Sequence, residues 1–256
     1  KDFFLWTNKM MFNQDPEMAA DHAEAEAASF KVIEYAMKLM EQHKTNPKKD
    51  IIGALLQGNG KDEGLSDEEF VWFFLMLIAA GNESTRTVTT QGMRMLMENP
   101  EQLQYLVDNP DKIPGACEEM LRYNTAFTLM RRQCMEDTEV GGHLIRKGDK
   151  VIMHYHTVNH DETIFGEDAM QFDVRRAERM PNLYNEHRAF GIGQHFCLGT
   201  HLARLEMRVM FEEIIPRIRN PKLVGEVAYT RSNLVNGIKR MHITFDPEVT
   251  SAEKAA

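Results

Sequence analysis

With 256 residues, 43% of them hydrophobic and 27% charged, the chain has apolar material for a sizeable core and no bias toward disorder. A formal net charge of −9, with no run of Lys and Arg interleaved with aromatics, argues against nucleic acid as a partner. Three cysteines, Cys117, Cys134 and Cys197, give no paired framework and fit a reducing compartment.

The apolar run from Phe70 to Gly81 is cut by Asn82 and Glu83 too early to span a bilayer, and no signal peptide is visible. The expectation is a cytoplasmic chain with no membrane span. A first residue of Lys1 rather than Met suggests a cut or incompletely given chain. One domain over residues 1–256 is expected, mainly α with small β-sheets. The eighteen methionines suit adaptable packing more than a pocket for greasy ligands.

The first dozen residues form an aromatic, Met-rich helical piece. From Asp15 to about His43 the chain is rich in Ala, Glu and Met, and Phe30, Ile33, Ala36, Met37 and Met40 recur at helical spacing, which predicts one long helix. A short helix over Asp50–Gln57 precedes a polar loop from Gly58 to Gly64. Ser66 and Glu69 have the spacing of a capping box, and helical sequence then runs unbroken to about Met97, a length of about 45 Å.

Asn99-Pro100 and Asn109-Pro110 punctuate a shorter helix, and Pro114 opens the next, which carries Cys117 to Arg122. The stretch from Glu139 to Asp149, with Gly141-Gly142, followed by Val151 to Tyr155, predicts a small sheet. Leu198 to about Ile218 reads as helix, with Leu198, Leu202, Leu205 and Val209 on one face. A β-rich segment from Val224 to Phe245 closes the chain.

Three motifs carry chemistry. In Phe190-Gly191-Ile192-Gly193-Gln194-His195-Phe196-Cys197-Leu198-Gly199, one cysteine sits among glycines immediately before a helix. The glycines permit positive φ and clear side chains from the approach of a flat ligand, while the unpaired N–H groups of the helix start favour negative charge on sulfur. Glu119 and Arg122 stand three apart and meet on one helix face, which alone is a common solvated pair. Ala80-Gly81-Asn82-Glu83-Ser84-Thr85 interrupts an apolar helix with an acid and hydroxyls. A Ser84 hydroxyl at this position can bond back to the Ala80 carbonyl and loosen the helix. Ten histidines offer chances for zinc, yet no Cys-x-x-Cys or His-Glu-x-x-His spacing occurs.

The cysteine string resembles the heme-binding loop of the cytochrome P450 family in its bacterial soluble form. Upstream of it, Glu119 and Arg122 resemble the family's Glu-x-x-Arg pair, and Arg175 or Arg176 of Phe172-Asp173-Val174-Arg175-Arg176 its third partner, with Arg176 preferred. Glu83 and Ser84 resemble the acid–alcohol pair of the central helix; Thr85 follows directly where family members usually place Thr one position earlier. Asn159-His160-Asp161 resembles the family's Asn-Arg-Asp turn, and His156 and His160 read as structural.

The resemblance implies the P450 fold, incomplete at its amino-terminal side, because family chains continue well before the segment that Lys1 to Phe12 resembles. One wall of the heme pocket would then be open, exposing apolar surface. It implies heme b, with Cys197 as iron ligand, Phe190, Gly191, Gly199 and Ala80 against the ring, and His195 and Arg131 on the propionates. A thiolate ligand favours O–O cleavage, and Glu83, Ser84 and Thr85 would relay the protons that O2 reduction consumes.

The implied substrate walls are Phe73, Phe74, Leu77 and Ala80; Phe127, Thr128 and Leu129; and Leu234, Val235 and Asn236. Their apolar content points to an aliphatic, sterol or terpenoid substrate, and parts of the chain look like sterol side-chain and alkane terminal hydroxylases. The implied function is a monooxygenase using O2 and electrons from NAD(P)H through a ferredoxin reductase and a ferredoxin. The alternatives are a peroxide-using heme-thiolate enzyme and a truncated heme- or ligand-binding fragment without activity.

Overall fold

The structure is a computed structural model that describes residues 2–58 and 63–247, so most of the expected Gly58 to Gly64 loop lies outside the described residues. The chain divides into two compact units, Lys1–Ser84 and Thr85–Ala256. The division falls inside the longest helix.

The first unit holds α1 (Asp2–Met11), α2 (His22–Thr45), α3 (Ile51–Gln57) and the first part of α4 (Asp67–Glu98). The long helix expected from Asp15 starts only at His22. Asp21 has an extended backbone, φ −157°, that helical residues cannot share, and its carboxylate accepts the Glu24 N–H at 2.9 Å. Asp21→Ala should cost about 1 kcal/mol, read as a lower urea midpoint with unchanged slope.

The buried stripe of α2 is also offset from the expected one. Ala25, Ala28, Val32, Ala36 and Met40 face inward, whereas Phe30 is 60% exposed. Small alanines let α1 lie close, so the larger side chains fall outside. Val32, Ala36, Met40, Phe70 and Phe74 form the unit's core, with Phe3, Trp6 and Ile52 packed on it. The capping box forms as spaced: Glu69 Oε2 accepts from the Ser66 N–H at 2.9 Å and hydroxyl at 2.7 Å, and Ser66 Oγ accepts the Glu69 N–H at 3.4 Å.

In the second unit, α4 ends at Glu98, and α5 (Pro100–Asp108) and α6 (Ile113–Tyr123) follow, each with a proline in its first turn. The chain then enters β1 (Leu129–Gln133), which pairs antiparallel with β4 (Lys150–His154) in the register Arg131 opposite Ile152. Between them β2 (Thr138–Val140) and β3 (His143–Ile145) form a hairpin closed by Gly141 and Gly142, at φ +56° and +80°. Two successive positive φ values are what a two-residue hairpin of this twist demands.

Short helices α7 (Tyr155–Val158), α8 (Glu162–Phe165), α9 (Arg176–Arg179) and α10 (Leu183–Glu186) lead to α11 (Thr200–Ile214) and the hairpin of β5 (Ile218–Tyr229) with β6 (Ile238–Pro247). The carboxy-terminal helix is thus shorter than expected at both ends: Gly199 caps its start, and Pro216 and the onset of β5 follow its end. Its packed face is Met207 and Phe211, which join Met95, Leu96, Leu106, Ile113 and Met120 in the core. The Leu202, Leu205 and Val209 face is uncovered among the described residues, with Leu202 59% exposed.

Candidate functional site

Cys197 lies three residues before α11, half-buried, with a free thiol. Its N–H donates to the Phe190 carbonyl at 3.0 Å, and the Phe196 N–H to the Gly193 carbonyl at 3.0 Å, so the string folds back on itself. That fold uses Gly191 at φ +75° and Gly193 at φ +73°. A Cβ on Gly191 would also meet Tyr155 Oη at 3.3 Å, one on Gly199 would lie 3.9 Å from Cys197 Sγ, and one on Gly193 would meet nothing within 4 Å. Gly191→Ala should therefore cost about 1–3 kcal/mol, checked by a denaturant midpoint, with Gly193→Ala differing from it by the absence of the Tyr155 contact.

Cys117 contrasts with Cys197, whereas Cys134 is half-buried like it. Cys117 is buried and its thiol is pushed up to about 12 by that burial, with the neighbouring acids Glu118 and Glu212 adding to it. We expect mass spectrometry after alkylation at neutral pH to find Cys117 unlabelled in the folded chain.

Behind the loop sits a closed ionic network. Arg122 Nε and Nη2 donate to Glu119 Oε2 and Oε1 at 2.7 and 2.8 Å, and its remaining N–H groups go to the carbonyls of Asn159, Ala169 and Gln171. Arg176 Nε donates to Glu119 Oε2 at 3.1 Å, and its Nη groups to the Phe165 carbonyl, Asp168 Oδ1, and the Asp168 and Gln171 carbonyls. Glu119 also accepts the Asp173 N–H at 3.0 Å. All three residues are buried, and every guanidinium N–H of both arginines has an acceptor. Arg175 turns elsewhere, its guanidinium 4.0 Å from the Tyr105 ring centroid.

Arg131 is exposed on β1 and His195 in the turn before Cys197, and neither forms an ion pair with a carboxylate among the described residues. Thr128 donates its N–H to the Leu234 carbonyl at 2.9 Å and its hydroxyl to the Asn233 carbonyl at 2.8 Å, which brings Phe127–Leu129 alongside Leu234–Asn236. Gln91 Nε2 donates to the Asn236 carbonyl at 2.9 Å and fixes this junction to α4.

Two of the expected wall residues are among the most enclosed. Val235 is 1% exposed beneath its bridge to Phe127, and Phe74 is 8% exposed between the Tyr35, Phe70 and Phe3 rings. Phe73, Leu77, Phe127, Thr128, Leu129 and Leu234 are half-buried and Ala80 is exposed.

On α4, Ser84 Oγ donates to the Ala80 carbonyl at 2.7 Å, the back-bond its position allows. Glu83 is buried, and Asn82 Nδ2 donates to its Oε1 at 3.3 Å while also donating to the Thr7 hydroxyl of α1. Thr85 is half-buried, and its carbonyl accepts the Thr89 hydroxyl.

Sequence reasoning missed Thr7, and it missed a second ionic cluster. Glu118 accepts from Arg204 Nε and Nη2 at 2.8 and 2.9 Å and faces His187 Nε2 at 2.9 Å. Burial pulls the Glu118 carboxyl upward, but the bonds from His187 and Arg204 outweigh it and hold it below the ordinary carboxylate value. The adjacent acids Glu118-Glu119 were the available signal; that they serve different partners is visible only in three dimensions.

A family model described as cytochrome P450 matches residues 3–220. The chain is 36% identical over 255 residues to the steroid C26-monooxygenase of Mycolicibacterium smegmatis, covering 99% of this chain and 56% of that protein. It is 32% identical over 247 residues to the linalool 8-monooxygenase of Pseudomonas putida, covering 96% and 59%. Among solved structures, substrate-free CYP109E1 from Bacillus megaterium superposes with a TM-score of 0.85 at 30% identity, covering 97% of this chain and 63% of that one. The chain spans about half the length of these curated relatives.

Proposed function

We propose that this chain, which belongs to the cytochrome P450 family, is the carboxy-terminal part of a single P450 domain whose whole protein is a heme-thiolate monooxygenase acting on an aliphatic, sterol or terpenoid substrate. The observation that carries this reading is the Cys197 loop: one half-buried free thiol set among glycines at the start of α11.

The family implies heme b, and the residues fit that group. Among the described residues no cluster of three His, Cys, Asp or Glu could hold a bare ion, so the loop offers a single sulfur donor. Heme would bring nitrogen donors of its own, so a single protein sulfur such as that of Cys197 would suffice to hold its iron. Gly199 carries no side chain beside the sulfur, where a Cβ would lie 3.9 Å from Cys197 Sγ, and Gly193 faces open space, so neither would obstruct a flat ring.

When bound, heme supplies O2 activation, with the thiolate favouring O–O cleavage. The chain's own residues take the remaining roles. Cys197 holds the iron, His195 and Arg131 bind the propionates, and Phe190, Gly191 and Gly199 lie against the ring. The Glu119–Arg122–Arg176 network keeps the segment between β4 and the loop in place. Glu83 with the hydroxyls of Ser84 and Thr85 holds and passes protons; the Ser84 hydroxyl reaches this role by releasing the Ala80 carbonyl.

Phe127, Thr128, Leu129 and Leu234 of the second unit are the proposed substrate contacts, mainly apolar so as to exclude water. Electrons come from NAD(P)H through a reductase and a ferredoxin. No described helix is long and apolar enough to cross a membrane.

The test is turnover by the whole protein with ferredoxin, reductase and NAD(P)H on sterol, terpenoid and branched aliphatic substrates. Hydroxylation near a chain end is expected. Tight binding confined to polar aromatic compounds would contradict the substrate assignment.

A further inference from the structure

The cluster around Glu118 is separate from the Glu119 network although the two acids are neighbours on α6. Its partners lie on either side of the cysteine loop: His187 ten residues before Cys197, Arg204 seven residues after it. His187 Nδ1 accepts the Ala189 N–H at 3.3 Å, which leaves the ring proton on Nε2 to donate to Glu118 Oε2 at 2.9 Å. Arg204 forks onto both Glu118 oxygens and also donates to Thr200 Oγ1 at 2.7 Å and the Tyr184 carbonyl at 3.0 Å.

The same guanidinium stacks over Phe190, 4.7 Å from its ring centroid, and the carbonyl of Phe190 is the acceptor for the Cys197 N–H. His187 lies on the same ring, with centroids 6.0 Å apart. The His187 side chain is almost fully enclosed, and those of Glu118 and Arg204 are mostly so. A charged fork at this depth holds its geometry better than a surface pair.

We infer that Glu118 is a positioning residue for the thiolate loop: through His187 and Arg204 its carboxylate fastens both ends of the loop to α6 and sets Phe190, and with it the backbone of Cys197. The inference rests on the reading of Cys197 as iron ligand for its functional meaning, but the mechanical claim stands on the contacts alone. Loss of the clamp frees the loop while the α6 core, held by Met120, Leu121 and the Glu119 network, stays packed.

Two readouts on Glu118→Gln separate the claims. In the heme-free chain, alkylation followed peptide by peptide should show Cys197 reacting at least about ten times faster than in the parent, while Cys117, next to Glu118 on α6, stays protected. In the heme-loaded, reduced, carbon monoxide-bound protein, the fraction of unshifted Soret band should rise several-fold, and Glu118→Asp should recover part of the shifted band. Glu212→Gln, which removes an exposed pair with Arg208 on the same α11, is the control and should change neither readout.

Unchanged Cys197 reactivity in Glu118→Gln overturns the inference. Equal acceleration at Cys117 and Cys197 also overturns it, since the effect would then be loss of the fold. Should Glu118→Gln not fold, Arg204→Lys keeps the charge but loses the fork and the ring stack, and is read the same way. A parent chain whose shifted band is absent while the alkylation difference persists contradicts the ligand reading and leaves the clamp intact.

Discussion

Glu119→Gln should destabilise the second unit by about 3–5 kcal/mol, a melting-temperature drop of roughly 10 °C for a unit of this size. Glu119 is fully buried and is the sole carboxylate bonded to Arg122 among the described residues, and it shares Arg176 with the part-exposed Asp168. Removing its charge leaves a buried guanidinium without a counter-ion, and glutamine can accept through only one of the two oxygens now used. Asp168 still neutralises Arg176 in part, so Arg122 bears most of the loss.

The comparison that gives the figure its meaning is Arg175→Ala. Arg175 follows the same Phe-Asp-Val stretch but only overlies the Tyr105 ring at the surface, so it should cost under about 1 kcal/mol. Urea midpoints of the two variants and Arg176→Ala decide the matter. Similar losses for Arg175→Ala and Arg176→Ala would refute the network as drawn.

The second large effect is expected at Phe211. This ring is buried at the crossing of α11 with α4, where a Cβ on Gly92 would lie 2.9 Å from Phe211 Cζ and 2.6 Å from Met120 Sδ. Glycine at 92 is what leaves room on α4 for the tip of the Phe211 ring and the Met120 sulfur. Phe211→Ala opens a cavity between elements that cannot fully collapse, at a cost of about 3–5 kcal/mol. Because α11 begins directly after the cysteine loop, the variant should also hold heme less tightly. Gly92→Leu should destabilise by overpacking, about 1–3 kcal/mol, at the same crossing. Circular dichroism melts and heme titration check both, and a Phe211→Ala protein as stable as the parent would mean that α11 is not seated on this core.

The sequence made the long-range frame legible where local rules act alone. The capping box at Ser66, the run of α4 and the proline starts of α5 and α6 follow from spacing within a few residues. It misled where a local stop was weak against propensity. Ala, Glu and Met continue across residues 15–21, yet Asp15 turns the chain by accepting the Glu17 N–H and Asp21 caps the start of the helix after them. The inward stripe of α2 was illegible for a related reason: alanines selected by close packing on α1 carry less hydrophobic signal than the exposed Phe30 and Met37.

At the site, motif spacing singled out Cys197, Glu119 and Arg122 as candidates, and Glu119 and Arg122 do pair. The preference for Arg176 over Arg175, the enclosure of Val235 and Phe74, and the separate duty of Glu118 all depend on which side chains meet across tens of residues. No periodicity encodes those meetings.

Acid should act on the Glu118 cluster before neutral conditions do. A carboxyl held below its ordinary value of 4.5 contributes stability above that pH and loses it as the pH falls. The second unit of Glu118→Gln should therefore show a flatter stability profile below about pH 5 than the parent, a comparison that equilibrium unfolding at several pH values makes directly.

The central claim is that Cys197 presents a thiolate to heme iron. The most direct measurement is the absorption spectrum of this polypeptide after heme addition, reduction and carbon monoxide, beside Cys197→Ala. A strongly red-shifted Soret band in the parent, absent in the variant, is the predicted result. An unshifted band in both, or no heme uptake by the folded parent, would contradict it.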